Sequence, residues 1–287
     1  MPIDDVIITP TTDLFIASLW SAPKNEPILR SLLNGVMTDA GLPAVSKATV
    51  LEPFNIQEFP VDKQIRLDVL VEDKAGNRYN VEIQRNKHAD FYERMLYYWA
   101  ETYNSQLKRG NDYDCLFPVR SIIITEFPVF PLVKRLHAIF ELRERENSDV
   151  VFSDHCQIHV LRLGNLLRAK LSGLDQFGLE LRRWMEFWAL GLEEEESKMS
   201  TMLQDCPPVL AAYEEFMRFS SDPEIREKVR ARERFLIDLR LDRGTARREG
   251  REEGKIETAR NFKRLGAPLE MIAEATGLSI AEIEQLN

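Results

Sequence analysis

Two runs of alternating apolar residues, separated by a short polar turn, constrain the fold of this chain more than any other feature. The apolar positions are Leu67, Val69 and Val71 in the first run and Tyr79, Val81 and Ile83 in the second. Alternation with a period of two predicts a pair of strands with at least one buried face. Gly76 and Asn77 lie between the runs and tolerate positive φ angles, which favours a chain reversal. The sequence therefore predicts an antiparallel hairpin.

This hairpin brings two carboxylates together. If the turn is symmetric about Ala75, Asp68 lies opposite Glu82, with Cβ atoms about 4.5–5.5 Å apart. Two ionised carboxylates at that distance repel each other unless a cation lies between them or one takes up a proton. Their hard oxygen atoms suit Mg²⁺ or Mn²⁺, which are the ions used to hydrolyse phosphodiesters. The alternative is a solvated strand face whose acids lie beside Arg66 and Arg78.

Other stretches, in a fixed order around the hairpin, carry a family resemblance. The matching segments are residues 13–15, 28–34, 118–127 and 154–163, together with Asp68 and the run Glu82-Ile83-Gln84. Matching residues after the hairpin are Phe91, Arg94, Tyr97, Tyr98, Tyr103, Gln106, Leu107, Gly110 and Tyr113. This ordered set resembles the PD-(D/E)XK nuclease superfamily, and in particular its recombination-promoting nuclease (Rpn) or "transposase" branch. The resemblance covers roughly residues 10–165 well and the remaining tail loosely.

The resemblance implies an α/β fold with a PD-(D/E)XK restriction-endonuclease-like core, in which a mixed central sheet is flanked by helices. We expect this nuclease domain at residues 1–165, a helical region with a charged, Gly-punctuated tract at 166–264, and a helix-turn-helix-like module at 265–287. The implied activity is metal-dependent DNA endonuclease cleavage with Mg²⁺ or Mn²⁺, or with Ca²⁺. The implied setting is DNA recombination, mobile elements or defence against phage.

By the same resemblance, Asp68 and Glu82 bind the metal, the backbone carbonyl of Ile83 adds a ligand and Gln84 positions water. Most members of the superfamily have Lys where this chain has Gln84. An amide holds water through hydrogen bonds, but it brings no positive charge and cannot act as a base. The metal ion would therefore carry more of the catalysis.

One more acid is expected upstream, and both Asp13 and Glu26 are candidates. Glu26 follows Asn25 and precedes Pro27 at a predicted helix start, where a carboxylate also interacts favourably with the helix dipole. Asp13 precedes an apolar run and is also explained as a helix cap. The sequence leaves the choice between them open.

Basic residues near the hairpin are candidates for DNA contacts because neutralising phosphate needs only accessible cations. The candidates are Arg85, Lys87, Arg94, Lys108 and Arg109, with alternation directing Arg85 to the opposite strand face. Residues 90–109 read as an amphipathic helix that covers the sheet. For its aromatic residues Tyr97, Tyr98, Trp99 and Tyr103, core packing is favoured over stacking on bases.

The formal net charge is −9, which is unusual for a DNA-binding protein. Residues 226–264, however, contain 14 Lys or Arg against 8 Asp or Glu. That stretch is either an electrostatic grip on phosphates or a solvated helix with internal ion pairs. Near the C-terminus, Ser279 and Glu282 predict a capping box before a helix without Lys or Arg. We therefore expect an interaction or oligomerisation module there rather than a DNA reader.

The remaining features indicate a cytoplasmic protein with no membrane segment. No apolar stretch reaches roughly 18 residues and no signal peptide opens the chain. Three widely spaced cysteines argue against a disulfide framework, and His155, Cys156 and His159 read as strand residues rather than zinc ligands. DNA and further copies of the chain are the expected partners. Two other functions stay open, namely an inactive nucleic-acid-binding or regulatory protein and an oligomeric interaction scaffold.

Overall fold

The computed structural model describes residues 7–52, 69–190 and 196–286. Contacts divide them into two compact units, one spanning Ile7–Glu227 and one beginning at Lys228. The described strands are β1 (Ala48–Glu52), β2 (Val69–Asp73), β3 (Arg78–Gln84), β4 (Val119–Thr125), β5 (His137–Arg143) and β6 (Val151–Leu161). The described α-helices are α1 (Asp13–Ser21), α2 (Glu26–Asp39), α3 (Phe91–Asn104), α4 (Leu163–Arg168), α5 (Leu179–Leu190), α6 (Glu196–Leu203), α7 (Pro207–Ser221), α8 (Pro223–Arg264), α9 (Leu269–Thr276) and α10 (Ile280–Gln285).

The β2–β3 hairpin forms around a turn that Asp73 organises. Its Oδ1 accepts hydrogen bonds from the backbone N–H groups of Ala75 and Asn77, at 2.8 and 2.9 Å. Gly76 has a φ of 89°, a left-handed conformation that a glycine adopts without strain. The side-chain oxygen thus replaces a backbone acceptor, as is common for Asp in turns.

The described strands form one six-stranded sheet in the order β1-β2-β3-β4-β6-β5. The β1–β2, β2–β3 and β5–β6 pairs are antiparallel, whereas β3–β4 and β4–β6 are parallel. A strand with parallel neighbours on both sides is buried on both faces, which explains why every residue of β4 is buried. The predicted mixed central sheet is therefore confirmed.

Helix α3 covers one face of this sheet, which we call the α3 face. The residues of β3 and β4 that lie on the α3 face are Asn80, Glu82, Gln84, Ser121, Ile123 and Thr125. Phe91 and Met95 of α3 pack there against Ile123 and Val160. The helix ends at Asn104, five residues before the predicted end at Arg109.

The opposite face, the α2 face, presents Tyr79, Val81, Ile83, Arg120, Ile122 and Ile124 on the same two strands. It lies on the side of α2, since Asp39 at the end of that helix bonds to His137 of β5. Helices α1, α5 and α7 pack around α2. Their core contains edge-to-face aromatic pairs, such as Phe15 with Phe216 at 5.2 Å between ring centroids.

The second unit has a small core of its own. Ala259, Ile272 and Ile283 are fully buried there, and Ser279 and Glu282 form the predicted capping box. Lys263 donates to the carbonyls of Ile283, Glu284 and Leu286 at the end of α10. These bonds satisfy carbonyls that a helix end otherwise leaves without partners.

The sequence-based domain boundaries at residues 165 and 264 stay predictions. Within the first unit, α5 and α7 pack against α2, so helices beyond residue 165 share the contacts of the sheet-bearing unit. No described helix combines the length and the apolar character that crossing a membrane requires.

Candidate active site

Glu82 is a buried carboxylate near the end of β3. It is 3% exposed and lies on the α3 face, where its register partner in β4 is Ile123. Nε2 of Gln84, two residues further along the same strand face, donates to Glu82 Oε1. A buried carboxylate is costly unless other groups stabilise its charge. Glu82 is such a carboxylate, and its neighbours in sequence are the apolar residues Val81 and Ile83.

The hairpin register agrees with the prediction over every described residue pair. Val69 pairs with Val81, Leu70 with Asn80, Val71 with Tyr79 and Glu72 with Arg78, so the pairing is symmetric about Ala75. Asp68, the predicted partner of Glu82, lies outside the described residues. The last described pair, Val69 with Val81, immediately precedes that position.

Two buried hydroxyls accompany Glu82 on the α3 face. Ser121 and Thr125 are 2% and 0% exposed, and they pair in register with Asn80 and Gln84. Within the described part of the chain, neither Oγ of Ser121 nor Oγ1 of Thr125 has a hydrogen-bond partner. Neither residue was among the predicted site residues. The signal in the sequence was the presence of two small polar residues four positions apart, and hence on one strand face, in VRSIIIT.

The backbone at the end of β3 directs successive carbonyls to different neighbours. The N–H of Glu126 donates to the Gln84 carbonyl at 3.0 Å, so that carbonyl points toward β4. Carbonyls of adjacent strand residues point in opposite directions within the sheet. The Ile83 carbonyl therefore points toward β2.

Helix α3 brings Arg94 near Glu82. The helix runs antiparallel to β3 and β4, because Trp99 near its end donates to the carbonyl of Val119 at the start of β4. Burial acts to lower the pKa of Arg94. The bond from Arg94 Nε to Tyr98 Oη, at 3.4 Å, and the negative charges of Glu82 and Asp90 outweigh it and raise that pKa. Arg94 is thus a cation within electrostatic range of the buried carboxylate.

The two upstream acids lie at opposite ends of the sheet. Glu26 accepts from the N–H of Ala48, which pairs with Asp73 at the turn end of the hairpin, and it also bonds to Arg30. About five strand residues separate the turn end of the hairpin from Glu82, which corresponds to roughly 16 Å.

Asp13, in contrast, begins α1 beside the strand ends that carry Gln84. Thr11, two residues before it, donates to the carboxylate of Glu126. Glu126 directly follows β4, and its N–H binds the Gln84 carbonyl. Of the two candidates, Asp13 is therefore the one placed at the Gln84 end of the sheet.

The candidate DNA-contacting cations also divide between the two ends. Arg85 and Lys87 follow Gln84 directly, and Arg85 Nε lies 3.6 Å from Glu126 Oε2. Lys108 and Arg109 are exposed, but they follow Ser105 and Gln106, which bond to Arg78 and Phe117 at the turn end. Arg85, Lys87 and Arg94 therefore share the end that carries Glu82.

The aromatic residues of α3 do not behave alike. Trp99 and Tyr103 stack at 5.3 Å between ring centroids, and Tyr103 Oη bonds to Nδ1 of His155 at 2.9 Å. Tyr98 packs against the core cluster beneath the helix. Tyr97 differs, since its side chain is 60% exposed. Tyr98 fits the core-packing prediction, Trp99 and Tyr103 are only partly buried, and the exposed Tyr97 does not fit it.

Comparison with protein families gives a match over most of the chain. The family model described as PD-(D/E)XK nuclease family transposase matches residues 10–242. Comparison with curated proteins and with solved structures finds no match. The match includes the hairpin, α3, the whole sheet and the helices as far as the middle of α8.

Proposed function

Because the chain belongs to the PD-(D/E)XK nuclease transposase family, we propose that it is a divalent-metal-dependent DNA endonuclease with its site at Glu82. The observation that carries the proposal is the hairpin register, which is symmetric about Ala75. Continued by one residue, this register pairs Asp68 with Glu82. Because the carbonyl of Gln84 points to β4, the extended register would make Asp68 and Glu82 a non-hydrogen-bonded pair, the kind in which side chains approach most closely.

The donor set fits a hard divalent cation. It would consist of the Glu82 carboxylate, the carboxylate of Asp68, which lies outside the described residues, and the Ile83 carbonyl, which points toward β2. Oxygen-only donors of this type favour Mg²⁺ or Mn²⁺ over zinc. Ca²⁺ is also accepted by such ligands, so the cleavage test includes it.

When bound, the metal ion supplies an activated water and stabilises charge on the scissile phosphate. The protein's own residues do the rest. Gln84 donates through Nε2 to Glu82 and fixes its orientation, which leaves the amide oxygen to accept a hydrogen bond from the attacking water. Arg94 lies within electrostatic range and offsets negative charge that gathers at the site during attack.

Asp13 is the upstream acid that we assign to the site, and Glu26 is structural. Asp13 begins the helix whose preceding loop is bonded to Glu126 beside Gln84. Arg85 and Lys87, at the same end, are the proposed contacts to the DNA backbone. Lys108 and Arg109 would reach DNA only where it extends toward the turn end of the sheet.

The second unit is the part that we propose for self-association, in a cytoplasmic protein. It exposes large apolar side chains, including Leu265 at 81%, Met271 at 57% and Ile280 at 41%. Sedimentation of the full chain against a chain ending at Ser221 tests this assignment. We expect the truncated chain to lose the oligomers that the full chain forms. Oligomers that persist in the truncated chain would contradict the assignment.

The test of the proposed function is cleavage of supercoiled plasmid with Mg²⁺, Mn²⁺, Ca²⁺ or EDTA. The variants are Glu82→Gln and the matched control Glu72→Gln, which makes the same chemical change in the partner strand of the hairpin at its turn end. We expect Mg²⁺- or Mn²⁺-dependent nicking by wild type and by Glu72→Gln. We expect a loss of at least about 10³-fold for Glu82→Gln, which corresponds to about 4 kcal/mol of barrier.

Equal nicking by all three proteins would identify a contaminant and contradict the proposal. Absence of nicking in all three, on plasmid and on branched or single-stranded DNA, would favour an inactive binding protein or a scaffold.

A further inference from the structure

One flank of α3 carries a cation and an exposed aromatic ring next to the candidate site. Arg94, Tyr97 and Glu101 are spaced three and four residues apart and therefore lie on the same side of the helix. Tyr97 is 60% exposed, and its nearest ring is that of Tyr98 at 6.1 Å in an edge arrangement. A large ring is thus presented to solvent one turn beyond Arg94.

The contacts of the opposite flank of α3 show which strands the flank with Arg94 and Tyr97 faces. On the opposite flank Tyr92 contacts Phe130, and Tyr103 contacts His155 of β6. In the sheet, β6 lies beyond β4 and β2 lies beyond β3. The flank with Arg94 and Tyr97 therefore faces β2.

Beside this flank the sheet is open within the described part of the chain. Leu70 of β2 pairs with the α3-face residue Asn80 and is only partly buried, and Thr49 of β1 is exposed. Glu82 lies on the border between the strands that α3 covers and these uncovered strands. A strand of DNA whose phosphate lies at Glu82 would thus pass along the flank.

We propose that Tyr97 stacks on an unpaired base beside the scissile phosphodiester while Arg94 holds the adjoining phosphate. The inference rests on the proposed function and names its substrate class, which is DNA with unpaired nucleotides such as single strands, flaps and bubbles. Aromatic rings bind bases regardless of sequence because every base has a π face. In an intact duplex those faces are covered by neighbouring base pairs.

The charges around Tyr97 limit the contact to about one nucleotide. Glu93 and Glu101 lie four residues before and after it, and both are exposed. A phosphate backbone laid along the whole helix would meet these carboxylates and be repelled. A single base inserted from the Arg94 side avoids them. This pattern favours an unpaired nucleotide over a duplex as the occupant of the flank.

The helix also supplies a matched control. Leu96 is 55% exposed and adjacent in sequence, but it projects toward the opposite flank. Leu96→Ala removes exposed apolar surface from the same helix without touching the proposed contact. Tyr97→Trp keeps a stacking ring, whereas Tyr97→Ala removes it.

The experiment measures binding of fluorescent oligonucleotides by anisotropy with Ca²⁺, and their cleavage with Mn²⁺. The probes are a duplex, the same duplex with an unpaired bubble, and one of its single strands. For Tyr97→Ala we expect about a tenfold loss of affinity for the bubble and the single strand, and less than about a twofold loss for the duplex. Tyr97→Trp and Leu96→Ala should match wild type. Equal losses on all three probes, or no loss, would overturn the inference.

Two further readouts separate this inference from the proposed function. If wild type binds the bubble through Tyr97 but cuts nothing, the binding site stands and the nuclease assignment fails. If wild type and Tyr97→Ala cut all probes alike, the nuclease assignment stands and the inference fails. A change of oligomeric state in Tyr97→Ala, measured by sedimentation, would assign the flank to contacts between copies of the chain and also overturn the inference.

Discussion

The two faces of the central sheet both bury polar side chains, but those on the α2 face form a hydrogen-bonded network in which, among the described residues, Nε2 of His159 lacks a partner. On the α2 face, Arg120 donates to Gln157 at 2.8 Å and lies over the Tyr79 ring, and Gln157 donates in turn to Glu141. On the α3 face, Gln84 donates to the buried Glu82, and the nearby hydroxyls of Ser121 and Thr125 lack hydrogen-bond partners in the described part of the chain.

This difference distinguishes polar groups that hold the fold from polar groups kept for chemistry. Buried polar groups in a structural network are normally satisfied by one another. Partly satisfied polar groups are costly, and a chain that keeps them near a buried carboxylate gives up stability for some other benefit. Changes on the α2 face should therefore reduce stability, and changes at the Glu82 end should reduce activity.

The largest expected effect on stability is the difference between substitutions at two adjacent residues that lie on opposite faces of the sheet. Arg120→Met removes a charge-assisted hydrogen bond and a cation–π contact, and it leaves Gln157 without its donor. We expect a loss of about 3 kcal/mol in the free energy of unfolding. Ser121→Ala removes a hydroxyl that bonds to nothing in the described residues, so we expect a change within about 0.5 kcal/mol. Urea denaturation of both variants measures these values.

A similar loss in both variants would mean that the two faces are equally structural. The comparison would also fail if Arg120→Met abolished cleavage in samples that remain fully folded.

The next effect separates the two upstream acids. Asp13→Asn should reduce the cleavage rate by about 10-fold to 100-fold, equivalent to roughly 1.4–2.7 kcal/mol, because Asp13 lies at the Gln84 end. Glu26→Gln should leave the rate within about twofold and lower stability slightly, since it weakens the ion pair with Arg30 and keeps an acceptor for Ala48. Single-turnover cleavage and thermal melting distinguish the two. The reverse pattern would exchange their roles.

The smallest effect is a pH dependence on the α2 face. Asp39 Oδ2 lies 2.7 Å from His137 Nδ1, and His137 Nε2 lies 3.0 Å from His159 Nδ1. With neutral rings, His159 donates to His137 and His137 donates to Asp39. Burial, and secondarily the charges of His137 and Arg120, lower the pKa of His159 to about 3.

The sign follows from comparing the folded and unfolded chains. Unfolding frees His159 to bind a proton below its ordinary pKa of 6.5, whereas the folded chain resists protonation until about pH 3. The contribution of His159 is therefore complete above pH 6.5 and is lost as the pH falls, by up to about 1.4 kcal/mol per pH unit. Unfolding of wild type and His159→Gln between pH 7.5 and about 5.5 measures it. Parallel curves for the two proteins would contradict the assignment.

Local patterns in the sequence were enough to predict the hairpin and its register. Apolar residues alternate on either side of a turn that contains Gly76, and a shift of one residue would turn Val69 and Val81 out of the core. The capping box at Ser279 was predictable for the same reason. In each case neighbouring residues determine the structure.

Features set by distant contacts were not predictable from the sequence. The choice between Asp13 and Glu26 depends on which end of the sheet each helix start reaches, and no local pattern encodes that. Helix α3 ends at Asn104 where Gln106 turns to bond with Phe117, a contact with the chain before β4. The exposure of Tyr97 likewise depends on which flank of α3 the sheet covers.

Binding of Mn²⁺ to the free protein, measured by isothermal titration calorimetry, tests the central claim most directly, because it needs no knowledge of the correct DNA substrate. The proteins are wild type, Asp68→Asn, Glu82→Gln and the control Glu72→Gln. If Asp68 and Glu82 form one metal site across the hairpin, wild type and the control bind Mn²⁺ and both site variants lose that binding. Unchanged binding in Asp68→Asn or Glu82→Gln would contradict the paired-carboxylate site.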